Sequence, residues 1–152
     1  ILGLLELYQT DFDNKWFVSA KELTDEMIEK FSDESGGFFD TPNDGENLLI
    51  RPKDVQDNAT PCGNSLACEA LVKMAEYTGE GKYRDLAEKS LSLITSFTLR
   101  YPLGFARWLS SVENVSGTMK QVALIGEAGE ENFEVLKKII QSEYRPNIIM
   151  AC

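Results

Sequence analysis

Apolar residues recur at helical spacing over most of the chain. Ile1, Leu4, Leu5 and Tyr8 follow the i, i+3, i+4, i+7 rule and predict an amphipathic helix. No Ser, Thr, Asp or Asn precedes them as a cap, so this helix is expected to begin upstream of Ile1. A second helix is predicted from Lys15 to Phe31. Trp16, Ala20, Leu23, Met27, Ile28 and Phe31 share its apolar face, Lys21, Glu22, Asp25 and Glu29 lie mostly opposite, and Asp13 or Asn14 is the expected cap. A third is predicted from Asn64 to Thr78, with Leu66, Ala67, Ala70, Leu71, Met74 and Ala75 facing inward and Gly79 in the left-handed position that ends a helix. A fourth is predicted from Lys82 to Leu99. The short Gly79-Glu80-Gly81 link makes the last two an antiparallel αα-hairpin. A fifth, shorter helix is predicted from Gly104 to Ser111, with Pro102 near its start.

Two stretches break this periodicity. From Ser32 to Cys62 there is no helical pattern, and Pro42, Pro52, Pro61, Gly36, Gly37 and Gly45 accumulate. A loop of about thirty residues in a compact domain is usually functional or disordered. Phe38, Phe39, Leu48, Leu49 and Ile50 argue for order, as short pieces pairing in a hairpin about Asn43-Asp44-Gly45. The tail changes character again: a strand over Gln121–Ile125, a helix over Glu130–Tyr144 and a second strand over Asn147–Ala151 predict a small parallel unit. The expected fold is therefore mainly α, built of αα-hairpins over residues 1–112, with an α/β tail over residues 113–152. The apolar run at Ile148–Cys152 and the uncapped start predict a piece of a longer protein.

Composition narrows the chemistry. The formal net charge of −10, from 15 basic and 25 acidic residues, disfavours nucleic acid and anionic membrane surfaces as partners. The chain has no histidine, so imidazole-based nucleophile activation and His-ligated zinc are excluded within it. Three cysteines do not make a secreted disulfide scaffold, and with no basic leader the expected compartment is the cytoplasm. If Cys62 and Cys68 share a helix, they differ by about 240° in azimuth and about 9 Å in rise, too far for a disulfide.

The long loop concentrates the candidate chemistry. Asp40 and Asp57 are the candidate catalytic carboxylates, as a protonated acid and an ionised base of the kind glycosidic chemistry uses. Asp44, Glu46, Arg51 and Asn64 are the candidate substrate-binding groups, the carboxylates accepting from hydroxyls and the others positioning them. The competing reading is that these residues close turns and pair with Arg51 and Lys53. Asp40–Glu46 superficially matches a calcium loop, but Pro42 and Arg51 occupy places that need an acidic or amide ligand, so no metal site is expected. No cofactor is expected either. Gly36-Gly37 permits close backbone approach to a neighbour or ligand, and Thr60 or Asn64 is expected to cap the third helix.

Read together, Gly36-Gly37-Phe38-Phe39-Asp40-Thr41, Arg51-Pro52-Lys53 and Asp57-Asn58-Ala59-Thr60-Pro61-Cys62-Gly63-Asn64-Ser65 resemble the DUF255 family of thioredoxin-domain-containing proteins. Gly3-Leu4-Leu5-Glu6-Leu7-Tyr8 and Tyr77-Thr78-Gly79 extend the resemblance over nearly the whole chain. It implies an N-terminal thioredoxin-like domain followed by an (α/α)6 toroid similar to those of sugar epimerases and six-hairpin glycosidases. Residues 1–112 would then be the C-terminal part of that toroid, whose complete form needs about twelve helices and about 300 residues. Cys62 departs from the family's usual Ser and Asn58 from its frequent Gly, and the histidines of the related epimerases have no counterpart. The resemblance implies a sugar-enzyme-like fold more strongly than an activity; on that fold the expected ligand is a sugar or glycan and the expected role of the whole protein is carbohydrate-active. It also implies partnership with the missing N-terminal part, or self-association in its absence. The alternative is a non-catalytic helical-repeat scaffold, for which Tyr77, Gly79, Tyr83 and Ala87 are suitably spaced in one tetratricopeptide-like hairpin.

Overall fold

The computed structural model describes residues 1–46, 48–117, 119–127 and 129–152. Asn47, in the expected turn region, lies outside the described residues. Among the described residues, six α-helices follow in order: α1 (Leu2–Asp11), α2 (Asn14–Phe31), α3 (Gly63–Thr78), α4 (Gly81–Thr98), α5 (Ala106–Ser116) and α6 (Glu131–Gln141). A 3-10 turn at Pro102–Phe105 leads into α5, and the strands β1 (Lys120–Ala123) and β2 (Ile148–Ala151) flank α6. The two strands pair in parallel from Lys120↔Ile148 to Ala123↔Ala151. The architecture is mainly helical, in packed hairpin pairs, with a small parallel unit at the end.

Local chemistry accounts for the helix ends. Asp13 caps α2 by accepting from the Lys15 amide at 3.0 Å. Gly79 closes α3 in the left-handed region at φ 69°, and its N–H bonds to Ala75 O at 2.8 Å. Burial corrects the expected faces in two places. On α2, Thr24 is buried and Leu23 is 45% exposed, because Thr24 Oγ1 satisfies itself on Ala20 O at 2.7 Å. On α3, Glu69 is buried while Leu66 lies at the rim.

The core is centred on α3, the middle layer between the α1–α2 pair on one side and α4 and α5 on the other. Leu71, Met74, Cys68 and Ala67 of α3 meet Leu5, Ala20, Tyr83, Ala87, Ile94 and Trp108. Trp108 is fully buried, and its indole N–H donates to Val55 O at 2.9 Å. The tail is lightly held: Phe133 is buried, whereas Leu136 and Ile139, expected inside, are about half exposed. Helix α5 continues to Ser116, beyond the expected end at Ser111, and β1 stops at Ala123, leaving Ile125 exposed.

The hairpin expected within the long loop does not form among the described residues; only an isolated bridge joins Ser32 and Phe38. The reason lies in the carbonyls that any helix leaves free at its C-terminus. Phe39 N donates to Phe31 O at 2.8 Å, Asn43 N to Lys30 O at 2.8 Å, and Asn43 Nδ2 to Glu29 O at 3.0 Å. The loop therefore pairs with the end of α2 instead of with itself, and Leu49 and Ile50 are left exposed.

Truncating the centre of this core tests the layer order. Leu71→Ala, at a fully buried site, should cost about 2–5 kcal/mol in urea unfolding. Ile125→Ala, at an exposed site, should stay within about 0.5 kcal/mol of the parent.

Candidate functional site

The loop residues singled out from sequence are distributed along a strap and do not converge. Asp57 is buried and has both carboxylate oxygens engaged: Oδ1 accepts from Cys62 N at 3.0 Å and Ser65 Oγ at 2.7 Å, and Oδ2 accepts from Arg107 N at 2.9 Å. One carboxylate thus serves the N-termini of α3 and α5 together, where free N–H groups favour a negative charge. Asn64 is equally buried. Its amide accepts from Phe38 N at 2.7 Å and donates to Phe38 O and Asp54 O, both at 2.8 Å. Asp40 is exposed, with Oδ2 accepting from Asp54 N at 3.0 Å. Asp44 pairs with Lys30 at 3.3 Å, and Glu46 is exposed. The Arg51 guanidinium lies 4.1 Å from the centre of the Phe39 ring and donates to Thr41 O and Lys30 O.

Two local details resolve sequence-level questions. The cap of α3 is Cys62, whose sulfur accepts from Ser65 N at 3.4 Å, in place of the expected Thr60 or Asn64. A thiol there does the work of a hydroxyl, so the Cys62 departure preserves the helix start. Gly36 and Gly37 adopt φ of 106° and 71°. A Cβ on Gly37 would stand 2.8 Å from Asn64 Oδ1, and one on Gly36 the same distance from Lys89 O. The glycine pair therefore admits neighbouring protein atoms.

A polar concavity lies elsewhere. A cleft of about 870 Å³ opens between α1, α3, α5 and the residues around 140–150. Its walls carry Glu6, Gln9, Glu69, Lys73, Arg107, Asn114, Gln141, Tyr144 and Asn147, and none of the six loop residues chosen from sequence lines it. Lys73 bridges Glu6 at 2.6 Å and Glu69 at 3.7 Å. Arg107 Nη2 forms an ion pair with Glu69 Oε2, and Arg107 Nε has no hydrogen-bond partner among the described residues. A buried carboxylate paired with a part-exposed guanidinium at the wall of a polar cleft is suited to a ligand that both donates and accepts. Sequence reasoning missed Glu69 because the apolar period of α3 runs through it. The available signal was a charge interrupting Leu66-Ala67-Cys68-Glu69-Ala70-Leu71 on the helix's inner side.

Asp57 does reach this cleft at one remove, since the amide it holds belongs to Arg107. Neither buried thiol is poised for chemistry. Burial pushes Cys68 up to about 12, and burial also raises Cys62. Among the described residues, no His, Cys, Asp or Glu group of three or more converges as a metal site, and no helix is long and apolar enough to cross a membrane.

Fold and cleft define a helical-hairpin protein with an appended parallel βαβ unit and a polar groove at their junction. Over 99% of its length the chain is similar to spermatogenesis-associated protein 20 of Mus musculus, Homo sapiens and Rattus norvegicus, at 28% identity in each case. It spans 19% of the length of each of these curated relatives. No protein-family model matches the chain.

Removing the Asp57 carboxylate should be felt at two helix starts. Asp57→Ala should destabilise by about 3 kcal/mol or more in chemical denaturation, and Asp57→Asn by less, because one oxygen acceptor survives. The loop carries its own pH signature. The Lys53 ammonium at 2.7 Å and the Ser35 N–H hold the Asp33 carboxyl at about 2, below its ordinary 3.8. A depressed carboxylate contributes stability above its unfolded value that is lost as pH falls through its folded one. Stability should therefore decline between about pH 4 and pH 2, and Lys53→Met should flatten that decline in acid-titrated melts.

Proposed function

We propose that the chain is part of an (α/α)6 toroid in a carbohydrate-binding or carbohydrate-processing protein, and that its contribution is the cleft centred on Glu69. The observation that carries this reading is the ion pair of buried Glu69 with part-exposed Arg107 at the wall of a cleft of about 870 Å³. Vicinal hydroxyls each offer a donor and an acceptor, which match a carboxylate oxygen and a guanidinium N–H side by side. Gln9, Gln141, Asn114 and Asn147 add amides of both polarities, and Tyr144 adds an exposed ring at the rim. In this reading Glu69 accepts from sugar hydroxyls, Arg107 donates to their oxygens, and Asp57 positions Arg107. Asp40, Asp44, Glu46 and Arg51 shape the neighbouring loop. The reaction of the whole protein, if carbohydrate-active, draws on further residues of the longer polypeptide that the relatives' length implies.

A panel of monosaccharides and oligosaccharides, titrated by NMR against this chain and against the full-length protein, tests the proposal. At least one sugar should shift resonances of residues at the cleft. Glu69→Gln and Arg107→Met should each weaken that binding by about tenfold or more, one lost charged contact being worth about 1.4 kcal/mol or more. Asp40→Asn and Asp44→Asn should leave it unchanged. Absence of binding to both proteins, or binding indifferent to Glu69→Gln in a variant whose melting is intact, would overturn the reading.

A further inference from the structure

The charges on the walls of the Glu69 cleft narrow what can enter it, resting on the reading of that cleft as a sugar site. Three cations line it, and each already has a carboxylate partner. Lys73 Nζ stands 2.6 Å from Glu6 Oε1 and 3.7 Å from Glu69 Oε1, Arg107 pairs with Glu69, and Arg145 lies 3.3 Å from Glu143. A fourth carboxylate, Glu113, has no cation partner among the described residues and accepts from the Asn147 amide at 3.4 Å. The ionised side chains of the lining therefore sum to −1, within a chain that carries −10. Helix ends act in the same direction. The start of α5, where free N–H groups favour an anion, is already served by Asp57 through Arg107 N at 2.9 Å. Helix α6 brings its last residues, Ile140 and Gln141, to the wall, and that end of a helix carries partial negative charge.

We infer that the cleft admits an uncharged sugar and rejects its phosphorylated or carboxylated counterpart, with Glu6 as the residue that sets this selectivity. A phosphate or carboxylate in the cleft finds every cation engaged. To gain one it must break an ion pair and leave a carboxylate unpaired beside it, which is how a site discriminates by repulsion. Hydroxyls meet no such opposition, because they add hydrogen bonds to the paired groups without displacing a partner. Glu6 decides the outcome through the balance at the helical wall, where Glu6 and Glu69 face Lys73 and Arg107, two charges of each sign. The Lys73 side chain is well covered, at 12% exposure, whereas that of Glu6 on α1 is 61% exposed. Removing the Glu6 charge leaves two cations sharing the single Glu69 carboxylate, so that wall becomes positive. At so exposed a position the change costs little stability.

Matched probes test the selectivity by NMR titration of this chain and of the full-length protein. Glucose is compared with glucose 6-phosphate and glucuronate, and every other sugar of the panel with its own 6-phosphate and C6 acid. A neutral sugar that binds should do so about tenfold or more tightly than either anion, with the gap narrowing as salt is added. Glu6→Gln should cut the neutral-to-anion affinity ratio by about tenfold while the melting temperature is retained. Asp85→Asn, an equal change of charge at an exposed position outside the cleft, should leave the ratio as it is. An anionic sugar that binds as tightly as its neutral parent overturns the inference and leaves the carbohydrate reading standing. So does a ratio that Glu6→Gln does not move. If no sugar, neutral or anionic, binds either protein, the carbohydrate reading falls and the inference falls with it.

Discussion

A single carboxylate organises the body of this protein. Asp57 holds the first turn of α3 through Cys62 N and Ser65 Oγ, and the first turn of α5 through Arg107 N. Helix starts carry unsatisfied donors and partial positive charge, and burying two of them side by side is unfavourable unless an acceptor neutralises both. With Asp57 in place, α3 and α5 diverge from a common point, Trp108 seats under Val55, and the loop from 32 to 62 acquires a fixed exit. Asn64, the second residue of α3, then ties the loop's other limb by its three bonds to Phe38 and Asp54. The loop is long in sequence but short in consequence, because both limbs are fastened to the start of one helix.

The helical part was legible because its signals are local. Gly79 ends α3 where a left-handed residue belongs, Asp13 caps α2, and the strand–helix–strand order of the tail predicts the parallel pairing found. What was not legible depends on competition between distant groups. Phe38-Phe39 and Leu48–Ile50 have the composition of a hairpin, but the free carbonyls of Glu29, Lys30 and Phe31 are nearer and already fixed in orientation. No pattern within the loop announces that its partner is the end of the preceding helix. The half-exposed Leu136 and Ile139 make the same point from the other side: periodicity predicts an apolar stripe, and whether anything covers it is a tertiary question.

The candidate site shows a similar division. Density of polar residues drew attention to the loop, where Asp57 and Asn64 are indeed the most constrained side chains. Their constraint is architectural, since every polar atom they offer is taken up by backbone or by Ser65. The charged groups at the cleft, Glu69 and Arg107, sit on separate helices and come together where Asp57 ties the start of α5 to that of α3. Sequence distance hides such a pair. A charged residue inside an apolar helical face is the only trace it leaves.

The cleft has one further property, which follows from where its walls come from. One wall is the helical body, through Glu6, Glu69, Lys73 and Arg107, and the other is the tail, through Gln141, Tyr144 and Asn147. The tail is fastened to the body by Tyr77 and Gln9 on Met150, by Gln141 Nε2 on Gln9 O at 2.7 Å, and by Met119 and Ile149 in the shared core. Any occupant that touches both walls is therefore also a strut between them. Its binding free energy and the docking free energy of the tail are reciprocally linked, so occupancy of the cleft and seating of the parallel unit on the helices rise and fall together.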